Sequence, residues 1–178
     1  MHTMPRFAMV AVALAAAVSF GPVQAGILSF TGDTTGEPTF NRALENFSAL
    51  SGVGIANPYQ VTPIAVSASG SYTFVTTSGG HDAFTFLYSS FDPANATANG
   101  IAANDDLLGL TTSGFTATLV AGVSYFFVST GFGPSDFGSY STTIGGPGLA
   151  AVVPEPASYA LMLAGVAGLA AWARRRRA

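Results

Sequence analysis

The chain has 178 residues, of which 49% are hydrophobic and only 8% are charged, where about 25% charged residues is typical of soluble proteins. Within residues 26–153, eight acidic residues stand against Arg42 alone, which gives a net charge of −7. A segment with this charge has almost nothing to neutralise phosphates, so nucleic acid is excluded as a partner. The chain contains neither cysteine nor lysine, which excludes disulfides and lysine nucleophiles.

The first 25 residues have the order of features that is typical of a secretory signal peptide. Arg6 gives a weakly positive start, and an uncharged apolar run follows from Phe7 to Phe20. A Gly-Pro pair breaks this run, which is shorter than the roughly 20 residues that a spanning helix needs. We predict export, with cleavage after Ala25. A buried N-terminal helix or a retained anchor is the alternative.

The C-terminus shows a second pattern, in which a Pro-Glu-Pro segment, an uncharged apolar run and a basic cluster follow one another. The parts are Val153, Pro154, Glu155 and Pro156; residues 157–173; and Arg174, Arg175, Arg176 and Arg177. As a helix the apolar run would be roughly 26 Å long, close to a hydrocarbon core of about 30 Å. We predict a transmembrane helix whose arginines stay in the cytoplasm. A core helix of a soluble domain is the alternative.

This tail resembles the PEP-CTERM sorting signal of Gram-negative bacteria, which has the same three parts in the same order. The resemblance covers residues 153–178 and implies processing by an exosortase, a membrane-embedded transpeptidase that cuts near the Pro-Glu-Pro segment. It further implies that the export machinery delivers the protein to the inner membrane, where the helix holds it transiently before it reaches the cell surface. Association with exopolysaccharide or biofilm is expected, because such proteins occur in bacteria that make exopolysaccharide.

Residues 26–152 show the alternation of apolar and polar side chains that is typical of β-strands. The predicted strands lie at 27–30, 59–66, 71–75, 83–88, 115–119, 123–128 and 139–144. Short strands separated by Gly-rich turns favour an all-β fold, an antiparallel jelly-roll-like β-sandwich. The run 123–128 is apolar on both faces, which predicts a central strand.

One segment departs from this alternation. Phe40, Ala43, Leu44 and Phe47 have the i, i+3, i+4, i+7 spacing of a helical face. Two interpretations are compatible with the spacing, a short surface helix and an irregular segment that leads into the sandwich. Neither interpretation changes the predicted fold class, because the sandwich itself needs no helix.

Five pieces of the middle region occur in an order shared with a known family. They are the stretches 70–74, 81–88, 104–106, 119–128 and 138–140. In these pieces residues 59–145 resemble the bacterial pre-peptidase C-terminal domain, a small jelly-roll β-sandwich, whereas residues 26–58 fall outside the resemblance. That family accompanies secreted peptidases and also occurs alone, so the resemblance implies an accessory or binding role.

The connection 89–114 is long for a compact domain and rich in Asp and Asn. Because calcium takes six to eight oxygen ligands, a calcium site is a candidate here. Its predicted ligands are Asp105 and Asp106, joined by Asp82 from a strand start, while Asp136 in a Gly-rich turn is a further contributor. The alternative is that these side chains only stabilise turns. No other cofactor is predicted.

Two further features bear on function. Phe132 and Phe137 lie in Gly-rich turns, where exposed rings could stack on a glycan, although core packing is the alternative. His81 is the only histidine in 26–153, and on a strand its neighbour Asp82 would point to the opposite face, so catalysis is not expected. The sequence predicts a non-catalytic surface or matrix protein, or alternatively a carbohydrate- or calcium-binding module.

Overall fold

A computed structural model describes residues 25–153, which form ten β-strands and one 3-10 turn without an α-helix in that range. The strands are β1 (Gly26–Asp33), β2 (Thr39–Phe40), β3 (Asn57–Val66), β4 (Gly70–Ser78), β5 (Ala83–Tyr88), β6 (Gly100–Asn104), β7 (Thr112–Leu119), β8 (Ser124–Gly131), β9 (Ser139–Gly146) and β10 (Ala150–Val152). All strand pairs are antiparallel. The predicted all-β sandwich is confirmed.

Two sheets make up the sandwich. The first has the strand order β1-β9-β4-β7, and the second has the order β10-β3-β8-β5-β6, with β2 also paired to β3. The sheets meet at their edges, where β1 contacts β10 on one side and β6 contacts β7 on the other. The central position that was predicted for the run 123–128 is confirmed, since β8 lies in the middle of the second sheet.

The space between the sheets is filled by the alternating apolar residues that the sequence predicted. Tyr72 and Phe74 of β4 and Ile144 of β9 are buried there against Phe127 of β8. Buried Tyr72 also donates a hydrogen bond from its hydroxyl to the Ala68 carbonyl over 2.8 Å. This core explains why the two sheets associate, because burying a large apolar side chain contributes about 1.5–3 kcal/mol.

A second core lies on the outer face of the second sheet. Phe84, Phe86 and Tyr88 point outward from β5, whereas Leu87 of the same strand points into the space between the sheets. Segments 40–56 and 91–96 cover the outward-pointing rings, so every residue of β5 is buried. The sandwich therefore has a third layer, made of irregular chain.

The helical interpretation of residues 40–47 is wrong, and the irregular one is correct. Phe40 belongs to β2, Ala43 forms an isolated bridge with Leu50, and Phe47 has a positive φ of 58°. The Phe47 ring packs edge-on against Phe86 at 5.8 Å. The apolar residues are spaced to cover a flat sheet face, and the same spacing also suits one side of a helix.

The predicted long connection 89–114 is also wrong in part. It contains a 3-10 turn at Pro93–Asn95 and the edge strand β6, which pairs with β5. The sequence of β6, Gly-Ile-Ala-Ala-Asn, is short and lacks the alternation that identifies a strand. Residues 26–58, outside the family resemblance, supply β1 and β2 to the same sandwich.

Within residues 25–153 no helix is both long and apolar enough to cross a membrane. The predicted transmembrane helix at 157–173 lies outside the described residues, as does the signal peptide except for Ala25. Ala25 is exposed and immediately precedes β1. The predicted cleavage after it would leave the first strand complete.

Candidate functional site

Three carboxylates meet at one end of the second sheet. Asp82 immediately precedes β5, and Asp105 and Asp106 immediately follow β6. The two strands are antiparallel with Thr85 opposite Asn104, so the start of β5 lies beside the end of β6. One oxygen from each carboxylate lies within 4.8 Å of the others. The structure thus brings together the three residues that were predicted as calcium ligands, here called the acidic cluster.

Two oxygens of the acidic cluster are buried without a hydrogen-bond donor among residues 25–153. They are Oδ1 of Asp82 and Oδ1 of Asp105. Burial raises the pKa of Asp105 to about 6, and repulsion from Asp82 and Asp106 adds to this effect. Burial also raises the pKa of Asp82, with the next contribution from Asp136. A bound cation would coordinate the two oxygens that lack a hydrogen-bond donor, and it would offset the repulsion between the carboxylates.

The positive charge of Arg42 partly offsets the negative charge of the acidic cluster. Its side chain is only 2% exposed, and its Nε donates to the Phe132 carbonyl over 2.9 Å while one terminal nitrogen donates to the Ala43 carbonyl over 3.2 Å. Burial lowers the pKa of Arg42, and Asp105 and then Asp82 act against that shift. Arg42 therefore reduces the repulsion in the acidic cluster without using its donors on a carboxylate.

Asn104 fixes the loop that carries two members of the cluster. Its Oδ1 accepts a hydrogen bond from the Gly114 N–H over 2.9 Å, and its Nδ2 donates to Glu45 over 3.2 Å. A cavity of about 240 Å³ adjoins Asp105 and is also lined by Glu45 and Phe132. Asp105 thus borders a cleft with charged and aromatic walls.

Other acidic residues that were considered at the sequence level lie outside the cluster. Asp136 accepts a hydrogen bond from the Gly133 N–H over 2.9 Å, and Asp92 accepts one from the Ala94 N–H over 3.0 Å. Both carboxylates stabilise local turns, which is the usual role of Asp in such positions. The prediction that Asp136 contributes to the calcium site is not supported by its position in this turn.

The two turn aromatics are both partly exposed, as predicted. Phe132 is 37% exposed and Phe137 is 44% exposed. The Phe132 ring also lies 4.9 Å from the guanidinium carbon of Arg42. Phe137 lines a separate cavity of about 440 Å³ together with His81 and Asp136. Phe137 is therefore the ring that is free to contact a ligand without disturbing Arg42.

His81 and Asp82 belong to different sites. His81 lines the cavity beside Phe137, whereas Asp82 belongs to the acidic cluster. Burial lowers the pKa of His81, although Asp136 and Asp33 act in the opposite direction. The Ser78 hydroxyl donates to the His81 main-chain carbonyl and not to its ring. Within residues 25–153 no hydrogen bond links the His81 ring to a hydroxyl nucleophile.

The described domain ends where the sorting signal begins. β10 ends at Val152, and the Val153 N–H donates to the Pro63 carbonyl of β3 over 2.8 Å. Residues 152–177 match the family model of the PEP-CTERM protein-sorting motif. The chain carries a PEP-CTERM motif. This motif is that of an exported protein that an exosortase sorts, and the Pro-Glu-Pro segment and the arginines within it lie outside the described residues.

Several solved structures are similar to this chain at low sequence identity. One is PliG of Aeromonas hydrophila, a periplasmic inhibitor of g-type lysozyme (14% identity, 71% of this chain and 90% of that chain, TM-score 0.37). Two more are the K3 (17%, 66% and 91%, 0.34) and K1 (14%, 74% and 99%, 0.36) cleaved adhesin domains of Lys-gingipain from Porphyromonas gingivalis W83. No curated protein sequence matches the PEP-CTERM chain.

Arg42 and Glu45 are the members of this region that sequence reasoning missed. One signal was present, since Arg42 is the only basic residue between 26 and 153. A single positive charge in an otherwise acidic domain indicates that the residue carrying it occupies a specific position in the fold. Its location beside the acidic cluster depends on how segment 40–56 crosses the sheet, and the sequence predicts that path poorly.

Proposed function

We propose that the domain is a non-catalytic component of the cell surface or extracellular matrix, and that it associates with exopolysaccharide after an exosortase removes its tail. The observation that carries this proposal is the PEP-CTERM motif at 152–177, which follows directly on the last strand of the sandwich. A domain that is delivered whole to the surface, with its sorting signal next to the fold, needs no active site to act there.

The non-catalytic part of the proposal is supported by the surroundings of His81. His81 lines a different cavity from the one that adjoins Asp105, and the carboxylates of the acidic cluster lie together in one small site that suits a cation. Association with a polysaccharide is supported by Phe137, whose exposed ring lines an open cavity beside Asp136. A ring and a carboxylate are suitable partners for a sugar, which presents both apolar faces and hydroxyl groups.

Processing is tested by determining the ends of the protein that is extracted from the surface of its producer. Mass spectrometry should find an N-terminus at Gly26 and should not find Trp172 or the arginine tail. A triple variant, Pro154→Ala with Glu155→Ala and Pro156→Ala, should stay in the inner-membrane fraction with its tail intact. Recovery of the intact C-terminal peptide from the outer fraction would contradict the proposal.

Association with polysaccharide is tested with exopolysaccharide from the same producer. The processed protein should bind it saturably, and Phe137→Ala should weaken that binding. Leu108→Ala is the matched control, because Leu108 is 88% exposed and does not line the Phe137 cavity. Absence of binding by the unaltered protein would leave a displayed surface protein without this ligand.

A second candidate function is calcium binding at Asp82, Asp105 and Asp106. The observation in its favour is the pair of buried carboxylate oxygens without donors, within a group of three whose oxygens lie within 4.8 Å. Ligands of one calcium ion lie 2.3–2.6 Å from the metal and hence up to about 5 Å from each other. Calcium should raise the melting temperature of the protein and a chelator should reverse the effect. The variant Asp105→Asn with Asp106→Asn should show neither change.

A further inference from the structure

β3 has an open stretch on its outer edge. The Tyr59 N–H donates to the Pro38 carbonyl, and the Pro63 carbonyl accepts from the Val153 N–H, so odd-numbered residues of β3 direct their main-chain groups outward. Even-numbered residues direct theirs toward β8. Between these two outer contacts lies Val61. Neither its N–H nor its carbonyl has a main-chain partner among residues 25–153.

The register of β10 determines which residues come next along this edge. Val152 lies opposite Ile64, and Val153 follows opposite Pro63. If the same register continued beyond the described residues, positions 154, 155 and 156 would lie opposite Thr62, Val61 and Gln60. In an antiparallel pair, hydrogen-bonded and non-hydrogen-bonded positions alternate. In that register Glu155 would fall at a hydrogen-bonding position, and both prolines would fall at positions that need no N–H.

We propose that the Pro-Glu-Pro segment of the sorting signal docks on the domain as a continuation of β10 along β3. The Glu155 N–H donates to the Val61 carbonyl, and the Val61 N–H donates to the Glu155 carbonyl. Proline is tolerated on an edge strand when its nitrogen faces away from the sheet, which is the orientation that this register gives. The two prolines also leave the new outer edge without donors, so no further strand can pair there at those positions.

The length of the open stretch matches the length of the motif. Three positions on β3, residues 60–62, lie between the contact with Pro38 and the contact with Val153. The position opposite Tyr59 is already occupied by Pro38, so the added strand cannot extend beyond Pro156 and the chain must leave the sheet at residue 157. Docking therefore places the start of the apolar tail at a fixed point on the domain. An exosortase would have to detach this strand before cutting within it.

Cysteine pairs test the register, and the absence of native cysteines makes the cross-links unambiguous. The exported chain with its tail is purified in detergent from a strain without exosortase. Thr62→Cys with Pro154→Cys, and Gln60→Cys with Pro156→Cys, join positions whose Cα atoms would be about 4.5 Å apart. That separation suits a disulfide. The swapped pairs, Thr62→Cys with Pro156→Cys and Gln60→Cys with Pro154→Cys, would be separated diagonally by about 7–8 Å.

Under mild oxidation both in-register pairs should form the disulfide at least tenfold faster than the swapped pairs. Equal rates for in-register and swapped pairs would overturn the proposal. If the Gln60 variants do not fold, the Thr62 variants alone decide. In the unaltered chain the Val61 amide should exchange hydrogen at least tenfold more slowly than in the Glu155→Pro variant, which lacks the donor. Equal exchange in both chains would also overturn the proposal.

Docking of the Pro-Glu-Pro segment rests on the proposed sorting function, but the cross-linking test does not depend on that function. The cross-linking experiment uses neither exosortase nor polysaccharide, so its failure would leave processing and surface delivery untouched. In a strain with exosortase, the oxidised Thr62–Pro154 cysteine pair should retain its tail, and reduction should restore cutting. Cutting at the same rate with and without the disulfide would show that detachment of the strand is not required.

Discussion

The guanidinium carbon of Arg42 lies 4.2 Å from the centre of the Phe84 ring, on the outer face of the second sheet. The centre of the Phe132 ring lies 4.9 Å from the same carbon, and two main-chain carbonyls accept hydrogen bonds from the Arg42 side chain. The positive charge of Arg42 is stabilised by the two aromatic ring faces and the carbonyl dipoles. The carboxylates of the acidic cluster attract it at longer range. Arg42 thus joins the irregular third layer to the sheet beneath it.

Replacement of Arg42 by Met should lower the free energy of unfolding by about 3 kcal/mol. One buried and one partly buried carbonyl lose their donors, and Asp105 loses the cation that partly offsets its burial. Arg42→Lys keeps the charge but not the planar group and should cost about half as much. Urea unfolding measures both. The double variant Arg42→Met with Asp105→Asn should cost less than the sum of the single changes, and strict additivity would show that the two groups do not interact.

Thr76 and Thr142 form a hydroxyl pair 2.8 Å apart on neighbouring strands of the first sheet, and both are buried. Thr142→Val should destabilise the protein by about 1–2 kcal/mol, because it leaves the Thr76 hydroxyl buried without a partner. The double change to Val at both positions should lie within about 0.5 kcal/mol of the unaltered protein. Thermal unfolding provides the comparison. A double variant that is less stable than Thr142→Val would contradict this account.

Asp105 should make the stability of the calcium-free protein fall as the pH rises from about 4 to about 6. Its pKa is raised from 3.8 to about 6 in the folded state, so in that window the folded chain binds more protons than the unfolded chain. Asp105→Asn should flatten the slope and be more stable at pH 7 by about 1 kcal/mol, a value discounted for partial solvent screening. Asp92→Asn, outside the cluster, should leave the slope unchanged.

The stabilisation by calcium should depend on pH in the opposite sense. A carboxyl group must be ionised to bind a cation, and Asp105 is largely protonated below pH 6. The shift in melting temperature on addition of calcium should therefore be large at pH 7.5 and small at pH 5. Equal shifts at both pH values would place the binding elsewhere. Magnesium, which demands a tighter octahedral geometry, serves as the control cation.

Phe137→Ala should weaken binding to exopolysaccharide about tenfold and leave the melting temperature within about 1 °C. The ring is 44% exposed and belongs to neither core, so its loss removes a stacking surface without opening a cavity. Phe132→Ala should weaken binding and also lower stability, because Phe132 contacts Arg42. Affinity measured beside differential scanning calorimetry separates the two effects. Unchanged binding by Phe137→Ala would remove this ring from the site.

The inter-sheet core was predictable because its residues follow the two-residue period of a strand. Tyr72 and Phe74, for example, alternate with polar neighbours, and both are buried between the sheets. The predicted start of the strand at 123–128 is wrong by one residue, since Val123 lies in the turn before β8 and is 42% exposed. The period identifies a face, but it does not determine where a strand begins.

The third layer could not be predicted from the same signal. Phe84, Phe86 and Tyr88 share one face of the strand predicted at 83–88, but whether that face meets the other sheet or irregular chain depends on contacts far apart in sequence. Phe40 and Phe47 cover it from a segment without a repeating period. The acidic cluster was more accessible to prediction, because Asp82 precedes a predicted strand and Asp105 lies in a connection rich in Asp and Asn. Their orphaned oxygens and the nearby Arg42 became apparent only from the fold.

In a protein that is tethered by its tail, the two edges of the second sheet lie at different distances from the point of attachment. The tail is attached at Val153 on the β10 edge, and Asp105 and Asp106 follow β6 at the other edge, four strand spacings from β10. At about 4.8 Å per spacing that is roughly 19 Å. A domain held by the β10 edge would therefore carry Asp105 and Asp106 on the opposite edge of the sheet, farthest from the point of attachment.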